Sequence, residues 1–309
     1  MHGISLIIPV YNEQDNISSL HQEIVDVCKK NKYNFEIIIV DDGSTDSTFK
    51  VASSLSPVKV IQLRKNFGQT AALDAGIKEA QHEYLITMDG DSQNDPADIP
   101  GMLEYMIKHE LDVVAGWRKK RKDNLPKRFV SRGADILRKI IINDNIHDSG
   151  CTLKVFKKEC FTDITLYGEM HRFIPALLMR SGYKIGEIVV NHRPRRNGIS
   201  KYNWRRTIKG FIDMITVAFW HKFSVRPLHL LGGIGAIMIF LSFIAFGFTI
   251  YNFFIGQGMS ETAWPLLTVS LFLGGIQFFI SGLIIDVLIK NYFETSGDKP
   301  YCIKKLVEN

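Results

Sequence analysis

Over the first 120 residues, short apolar runs alternate with stretches in which apolar residues return every three or four positions. Ser5–Val10, Phe35–Val40, Val58–Leu63, Tyr84–Met88 and Asp112–Gly116 read as strands, and most are too apolar to keep one face in water. Asn16–Lys30 reads as a helix with Ile17, Leu20, Ile24 and Val27 on one stripe. Thr48–Leu55, Thr70–Ala80 and Pro100–Lys108 read as further helices. Strands alternating with helices predict an α/β domain with a doubly wound, mostly parallel sheet. This domain is expected over residues 1–202. The run from Ile4 to Val10 has no basic segment before it and is short for a signal peptide, so it is expected to be a buried first strand.

The pattern then changes. Leu228–Ile255 contains 28 residues without Asp, Glu, Lys or Arg, and Ala263–Ile285 contains 23 more. Each run exceeds the roughly 20 residues a helix needs to cross a bilayer core, and neither has a polar face. The short gap Gly256–Thr262 makes them a transmembrane hairpin, expected at 228–255 and 263–287 within a segment 228–290, followed by a tail at 291–309. The flanks carry Arg205, Arg206, Lys209, Lys222 and Arg226 on one side and Lys290, Lys299, Lys304 and Lys305 on the other, while the loop carries Glu261. The positive-inside rule places both termini in the cytoplasm. Tyr251 and Trp264 sit where interfacial aromatics belong, and the pairs Gly232–Gly233 and Gly274–Gly275 would let helices approach closely. Between the two parts, residues 203–227 contain a basic start and apolar residues at Ile208, Phe211, Ile212, Ile215 and Phe219. That spacing suits an amphipathic helix in the headgroup plane, or one that covers the globular domain.

Composition sharpens this division. Residues 1–227 hold 34 of the 38 Lys+Arg and 27 of the 32 Asp+Glu, a net charge of +7, whereas residues 228–309 hold 4 and 5, a net of −1. Charged residues make up 23% and hydrophobics 46%, which excludes wholesale disorder and collagen. The cysteines, Cys28, Cys151, Cys160 and Cys302, show no metal-ligand spacing and are too few for a disulfide framework, so reduced thiols facing the cytosol are expected. The histidines, His147, His171 and His192 among them, form no i, i+4 pair and are expected to hydrogen-bond locally.

The candidate chemistry lies at the strand ends, where ligands bind in open α/β sheets. Asp41 and Asp42 follow one strand, and Asp89 and Asp91 follow another with Gly90 between them. A D-x-D pair at the end of a buried strand suits a hard divalent cation, Mg²⁺ or Mn²⁺, whose remaining positions substrate phosphates and waters would fill. Taken alone, the same acids also suit capping of the next helix.

PVYNE (Pro9–Glu13), VDDGSTD (Val40–Asp46), NFGQ (Asn66–Gln69) and MDGDSQNDP (Met88–Pro96) occur in this order. As a set, with the hairpin behind them, they resemble family 2 glycosyltransferases of GT-A fold. The nearest type is the polyprenyl-phosphate glycosyltransferases, such as dolichol-phosphate mannose synthase and bactoprenol glucosyltransferase. The resemblance covers about residues 4–210. It implies that Pro9, Tyr11, Glu13 and Asp41 hold the nucleoside, with Asp42 in support. It implies that Asp89, Asp91 and Gln93, around Gly90, hold the metal and the donor diphosphate. Asn66 and Gln69 are then expected to border the sugar or nucleotide. In the basic stretch from Arg118 to Lys139, which has ten Lys+Arg, Arg118 and Arg132 match the arginines that hold a lipid phosphate. The other cations there suit a solvated face or anionic headgroups. No nucleic-acid recognition fold accompanies them, so no nucleic-acid partner is expected. In the loop before residue 203, Arg196 or Lys201 matches a cation that closes over the diphosphate, with Gly198–Ser200 as a hinge.

HDSGCTLKVF (His147–Phe156) and GEMHRF (Gly168–Phe173) match acceptor-side segments. Where many members of the resembling family carry an acid, a candidate general base, this chain has Cys151, and Asp148 lies three positions earlier. A phosphate monoester, with a second pKa of about 6, is already anionic at neutral pH and needs no base. The expected function is inverting transfer from a UDP- or GDP-linked sugar to undecaprenyl or dolichyl phosphate, in an integral protein of the cell membrane that serves envelope glycan assembly and associates through its membrane helices. Two alternatives stay open. A polysaccharide synthase of the same superfamily would carry a Q-x-x-R-W motif and usually more spans. A non-catalytic nucleotide-sugar-binding scaffold would tolerate loss of Asp91.

Overall fold

The computed structural model describes residues 2–119, 146–162, 164, 166, 168, 170–194 and 227–296. The chain divides into two units, Met1–Val217 and Ala218–Asn309. The expected amphipathic helix of residues 203–227 and the tail from residue 297 lie outside the described residues, apart from Pro227 itself.

In the first unit the expected elements of residues 1–120 are present, with ends within two residues of the sequence reading. They are β1 (Gly3–Val10), α1 (Ile17–Lys30), β2 (Asn34–Asp41), α2 (Thr48–Ser53), β3 (Lys59–Gln62), α3 (Gln69–Glu79), β4 (Tyr84–Thr87), α4 (Ile99–Lys108) and β5 (Val113–Trp117). Beyond them come β6 (Lys154–Lys157), α5 (Ile174–Arg180) and β7 (Ile185–Val189), which the apolar pattern did not single out. The seven strands form one sheet in the order β3-β2-β1-β4-β6-β5-β7. β1 pairs in parallel with β2 and β4, and β5 with β7. β6 runs antiparallel between β4 and β5, with Lys154 opposite Thr87.

Alternation along the strands builds two core layers. Ile4, Leu6 and Ile8 face Ile17, Leu20 and Ile24 of α1 and Met102, Leu103 and Met106 of α4. Ile7, Ile38 and Val40 face the other way, toward Ala72, Leu73 and Ile77 of α3 and Ile174 and Leu178 of α5. Each such side chain contributes about 1.5–3 kcal/mol through burial, so the strand register is firmly set. The consequence for function is positional: β1, β2 and β4 deliver their C-terminal loops to one edge of the sheet.

The second unit is a helical hairpin of α6 (Pro227–Phe254) and α7 (Trp264–Ser296). Leu228–Phe254 and Trp264–Asn291 are each long and apolar enough to cross a membrane, and only 22% and 11% of their most apolar windows are buried. Phe240, Phe243, Phe254 and Leu266 are exposed, an apolar surface that a water-soluble unit does not tolerate. The helices meet most closely at Gly235 and Gly275: a Cβ on Gly235 would lie 2.6 Å from the Gly275 carbonyl. Of the glycines singled out from sequence, Gly275 takes part in this crossing, whereas Gly233 faces open space. Trp264 stacks on Phe248 with centroids 4.6 Å apart. α7 continues beyond residue 287 to Ser296, and Asp286 and Lys290 pair across one of its turns at 3.0 Å.

Candidate active site

The loop after β1 is laced to the loop after β2. Asn12 adopts a positive φ of 56°, its N–H donates to Ser44 Oγ at 2.9 Å, and its Oδ1 accepts the Thr45 N–H at 2.8 Å. The Glu13 N–H donates to Thr48 Oγ1, and Glu13 Oε2 accepts from Asn16 at 2.6 Å. Pro9 ends buried in β1, while Tyr11 and Glu13 are half-buried at the rim. Asp41 is fully buried; its carboxylate accepts from the Ser44 N–H at 3.0 Å and from Gln62 Nε2 at 3.2 Å. It is therefore a fixed acceptor at the floor of this corner.

Asp42 works as a clamp. Its two carboxylate oxygens accept the N–H groups of Phe67 and Gly68 at 2.7 and 2.9 Å, which folds the NFGQ loop against β2. Burial pushes its pKa up, with a smaller push from Asp41, and the two N–H donors oppose the shift. Asn66 is exposed at the tip of this loop. Gln69, the first residue of α3, donates from Nε2 to Asp89 Oδ1 at 2.8 Å.

The acidic loop after β4 is held from several sides. Gly90 passes so close to β1 that a Cβ there would lie 2.5 Å from Val10 Cγ1. Asp89 N–H donates to Asn94 Oδ1, which also accepts from Thr152 Oγ1. Asp91 Oδ1 accepts the Gln93 N–H at 3.1 Å, and Ser92 sits at a φ of 61°. Asp89, Asp91 and Gln93 are all half-buried at this edge. Behind the loop, Arg193 donates its N–H to the Gln93 carbonyl, and its guanidinium bridges Glu23 and Asp95. Asn191 Nδ2 donates to Asp95 Oδ2 at 2.9 Å. Burial raises the Asp95 pKa, but donors from Asn191, Ala97 and Arg193 outweigh it and hold the carboxyl below its usual range.

Because β6 is antiparallel, the segment that precedes it reaches the same edge. Arg118 follows β5 and grips Asp148 with its fork: Nε to Oδ2 at 2.7 Å and an NH2 to Oδ1 at 2.9 Å. The two side chains are only 11% and 9% exposed. Burial disfavours the guanidinium's charge, but Asp148 outweighs it and pushes the Arg118 pKa up. Asp148 is thus the counter-ion of Arg118. Cys151 is buried, and burial pushes its thiol pKa up, so it is not a base at neutral pH. His171 bonds to Thr70 Oγ1 at 2.9 Å, and His147 stacks on Trp117 and pairs with Glu187.

The expected residues Pro9, Tyr11, Glu13, Asp41, Asp42, Asn66, Gln69, Asp89, Gly90, Asp91, Gln93 and Arg118 lie at strand ends, on the loops that follow them, or at the start of α3, at this end of the sheet. Arg132, Arg196 and Lys201 fall outside the described residues. Sequence reasoning missed Asn94 and Thr152, which fix the acidic loop, and Lys154, a lysine buried to 2% exposure. Lys154 was hidden inside an apolar run, LKVF, whose only visible signal was the misplaced charge. Among the described residues no group of three or more His, Cys, Asp or Glu forms a metal cage. Asp89 and Asp91 nonetheless fit a hard cation that keeps waters and takes phosphate oxygens.

The profile of glycosyl transferase family 2 matches residues 5–165, more than half of the chain. The chain belongs to this family. Among its relatives, the protein named dodecaprenyl-phosphate galacturonate synthase from Rhizobium johnstonii is 34% identical, over 99% of this chain and 93% of that protein. The undecaprenyl-phosphate 4-deoxy-4-formamido-L-arabinose transferase of Pseudomonas fluorescens is 31% identical, over 100% of this chain and 91% of its own length. Among solved structures, mannosyl-3-phosphoglycerate synthase from Rubrobacter xylanophilus superposes with a TM-score of 0.57 at 15% identity, covering 71% of this chain and 74% of that one. Glucosyl-3-phosphoglycerate synthase from Mycobacterium tuberculosis, crystallised with Mn²⁺ and UDP-glucose, superposes with a TM-score of 0.55 at 16% identity, covering 70% and 79%. These likenesses establish the GT-A fold.

Proposed function

We propose that this family 2 glycosyltransferase moves a sugar, with inversion, from a nucleotide-diphospho-sugar to a polyprenyl phosphate at the cytosolic face of a membrane. The observation that carries the reading is the union, in one chain, of the laced acidic loops at the sheet edge with two helices of membrane-spanning length. The names of the full-length relatives, both polyprenyl-phosphate sugar transferases, support it.

In this reading Asp41 and Tyr11 hold the base, and Gln69 and Asn66 border the sugar. Asp89, Asp91 and Gln93 would hold Mg²⁺ or Mn²⁺, which supplies charge neutralisation on the departing diphosphate. A structure of a protein with this fold contains Mn²⁺ with UDP-glucose, which supports a divalent cation. Arg118, aligned by Asp148, and Arg132 place the lipid phosphate behind the anomeric carbon, and Arg196 or Lys201 closes over the donor. The phosphate attacks in line as an anion, so the neutral Cys151 thiol is no obstacle. Positioning and fixed charge supply most of the rate. The hairpin anchors the chain in the bilayer with both termini cytoplasmic, since the acceptor's tail cannot leave the membrane.

Membranes containing the full-length chain, incubated with radiolabelled UDP- and GDP-sugars and undecaprenyl or dolichyl phosphate, test this directly. Label is expected in an organic-extractable, acid-labile product that EDTA and Asp91→Ala abolish. Label found only in water-soluble glycosides would refute the lipid acceptor, and full transfer by Asp91→Ala would refute the catalytic role of the acidic loop.

A further inference from the structure

α7 packs on α6 along one stripe. Among the described residues its buried positions are Gly275, Gly282 and Ile289, at heptad spacing. A Cβ added at either glycine would run into α6, at Gly235 and Ile239 or at Leu228 and Leu231. Two positions further along a helix lie about 200° round its axis. Ser270, Gln277 and Ile284 therefore form a second heptad stripe on the side away from α6, and all three are exposed. Leu266, Leu273 and Ile280 occupy the alternate positions of that stripe and are exposed too. The two sets have the spacing of the a and d positions of a coiled-coil seam, with one amide at a central a position.

Gln277 stands midway along the span Trp264–Asn291. At 1.5 Å per residue each end of the span lies about 20 Å away, beyond the reach of its side chain. Other polar side chains of the hairpin bond back to their own helix: Ser242 donates to the Ile239 carbonyl, Thr249 to Ala245 and Thr268 to Trp264. Gln277 does not, and among the described residues it has no hydrogen-bond partner. Hydrocarbon, whether acyl or polyprenyl, offers an amide neither donor nor acceptor, so a bare amide at this depth is costly. A carboxamide donates and accepts at once, so its complement is a second carboxamide. Copies of one chain insert with one orientation. A two-fold axis along the membrane normal then sets α7 beside α7, parallel and in register, with each Gln277 opposite its counterpart.

We infer that the outward stripe of α7 is an interface between two copies of this chain, closed at its centre by the paired Gln277 amides. One polar a position fixes register and the number of strands in coiled coils, and Gln277 has that role here. The assignment needs the hairpin to span a membrane and is independent of donor and acceptor.

Counting copies in a bilayer tests it. The full-length chain, carrying one dye, is reconstituted at low density into phosphatidylcholine bilayers and followed by stepwise photobleaching. Wild-type particles are expected to bleach in two or more steps. Gln277→Leu is expected to associate about tenfold more weakly, the size of a pair of interhelical hydrogen bonds in a membrane. Gln277→Asn keeps the amide and is expected to retain most of the association. Melting of each variant in detergent checks that the hairpin still folds. Oxidative cross-linking in a Cys302→Ser background identifies the face: Ile284→Cys, on the stripe, is expected to join two copies, and Leu283→Cys, exposed but off it, is not. Single-step bleaching of the wild type would overturn the inference and leave the amide to a different membrane protein. Undiminished association of Gln277→Leu would overturn it as well, and so would Leu283→Cys that cross-links as fully as Ile284→Cys.

Discussion

Gln69 Nε2 donates to Asp89 Oδ1 at 2.8 Å, so the first residue of α3 holds the first acid of the D-x-D loop. Gln69→Ala removes one neutral-to-charged hydrogen bond and lets Asp89 rotate. Sugar transfer is expected to fall about tenfold in kcat/KM, with stability reduced by no more than about 1–2 kcal/mol. Steady-state transfer assays and thermal unfolding of the solubilised protein read the two effects separately.

Asp42 accepts two backbone N–H groups from the NFGQ loop. Asp42→Ala leaves both donors without their acceptor and releases the loop that carries Gln69. A loss of about 1–3 kcal/mol is expected in urea unfolding, together with faster proteolysis between residues 63 and 69. Unchanged cleavage there would show that the loop is held by something else.

The Arg118–Asp148 pair is nearly enclosed. Removing one partner strands a buried charge, so Asp148→Ala is expected to destabilise the protein by about 3–5 kcal/mol. The double variant Arg118→Met, Asp148→Leu is expected to recover most of that stability but no transfer activity. A double-mutant cycle by denaturation, paired with the transfer assay, checks both halves.

Asp95 joins Asn191 and Arg193 behind the acidic loop, and its folded pKa lies below its ordinary value. A lowered carboxylate pKa stabilises the fold above the ordinary value of about 3.9, and that contribution is lost as the pH falls through the lower folded value. Wild-type protein is therefore expected to lose stability below about pH 4, and Asp95→Asn to show a shallower acid limb. Parallel melting curves from pH 3 to pH 7, on the order of five points, compare the slopes.

Gly235 sits against the Gly275 carbonyl, while Gly233 faces open space. Gly235→Val is expected to separate α6 from α7 and to lower the melting temperature in detergent, with reduced yield from membranes. Gly233→Ala serves as the matched control and is expected to leave both unchanged. Equal behaviour of the two variants would mean that the close approach at Gly235 is not what holds the hairpin.

β1, β2, β4 and β5 were legible because their side chains are buried on both faces of the sheet, and the four helices because theirs fall on stripes, so local pattern and tertiary burial agree. β6 was not legible. It spans four residues, carries Lys154 and Lys157 at its ends, and is inserted antiparallel between strands distant in sequence. Nothing local encodes such a pairing. The short α5 and β7 gave too few turns or alternations to stand out. At the site, the acids and the NFGQ loop were visible because their residue types are unusual at strand ends. The partners of those residues were not: Asp42 on Phe67 and Gly68, or Asp148 on Arg118, are pairings that only the fold creates. The close helix approach at Gly235, rather than at Gly233, depended on helix rotation, which composition does not specify.

The reversed direction of β6 has a further consequence. In a purely parallel sheet only loops that follow strands reach the C-terminal edge, and those here are the laced and acidic loops. One reversed strand brings a leading loop, residues 146–153, to that edge. Drift in that loop can therefore reshape one side of the edge while the loops after β1, β2 and β4 keep their geometry, so the two sides can change through separate stretches of gene.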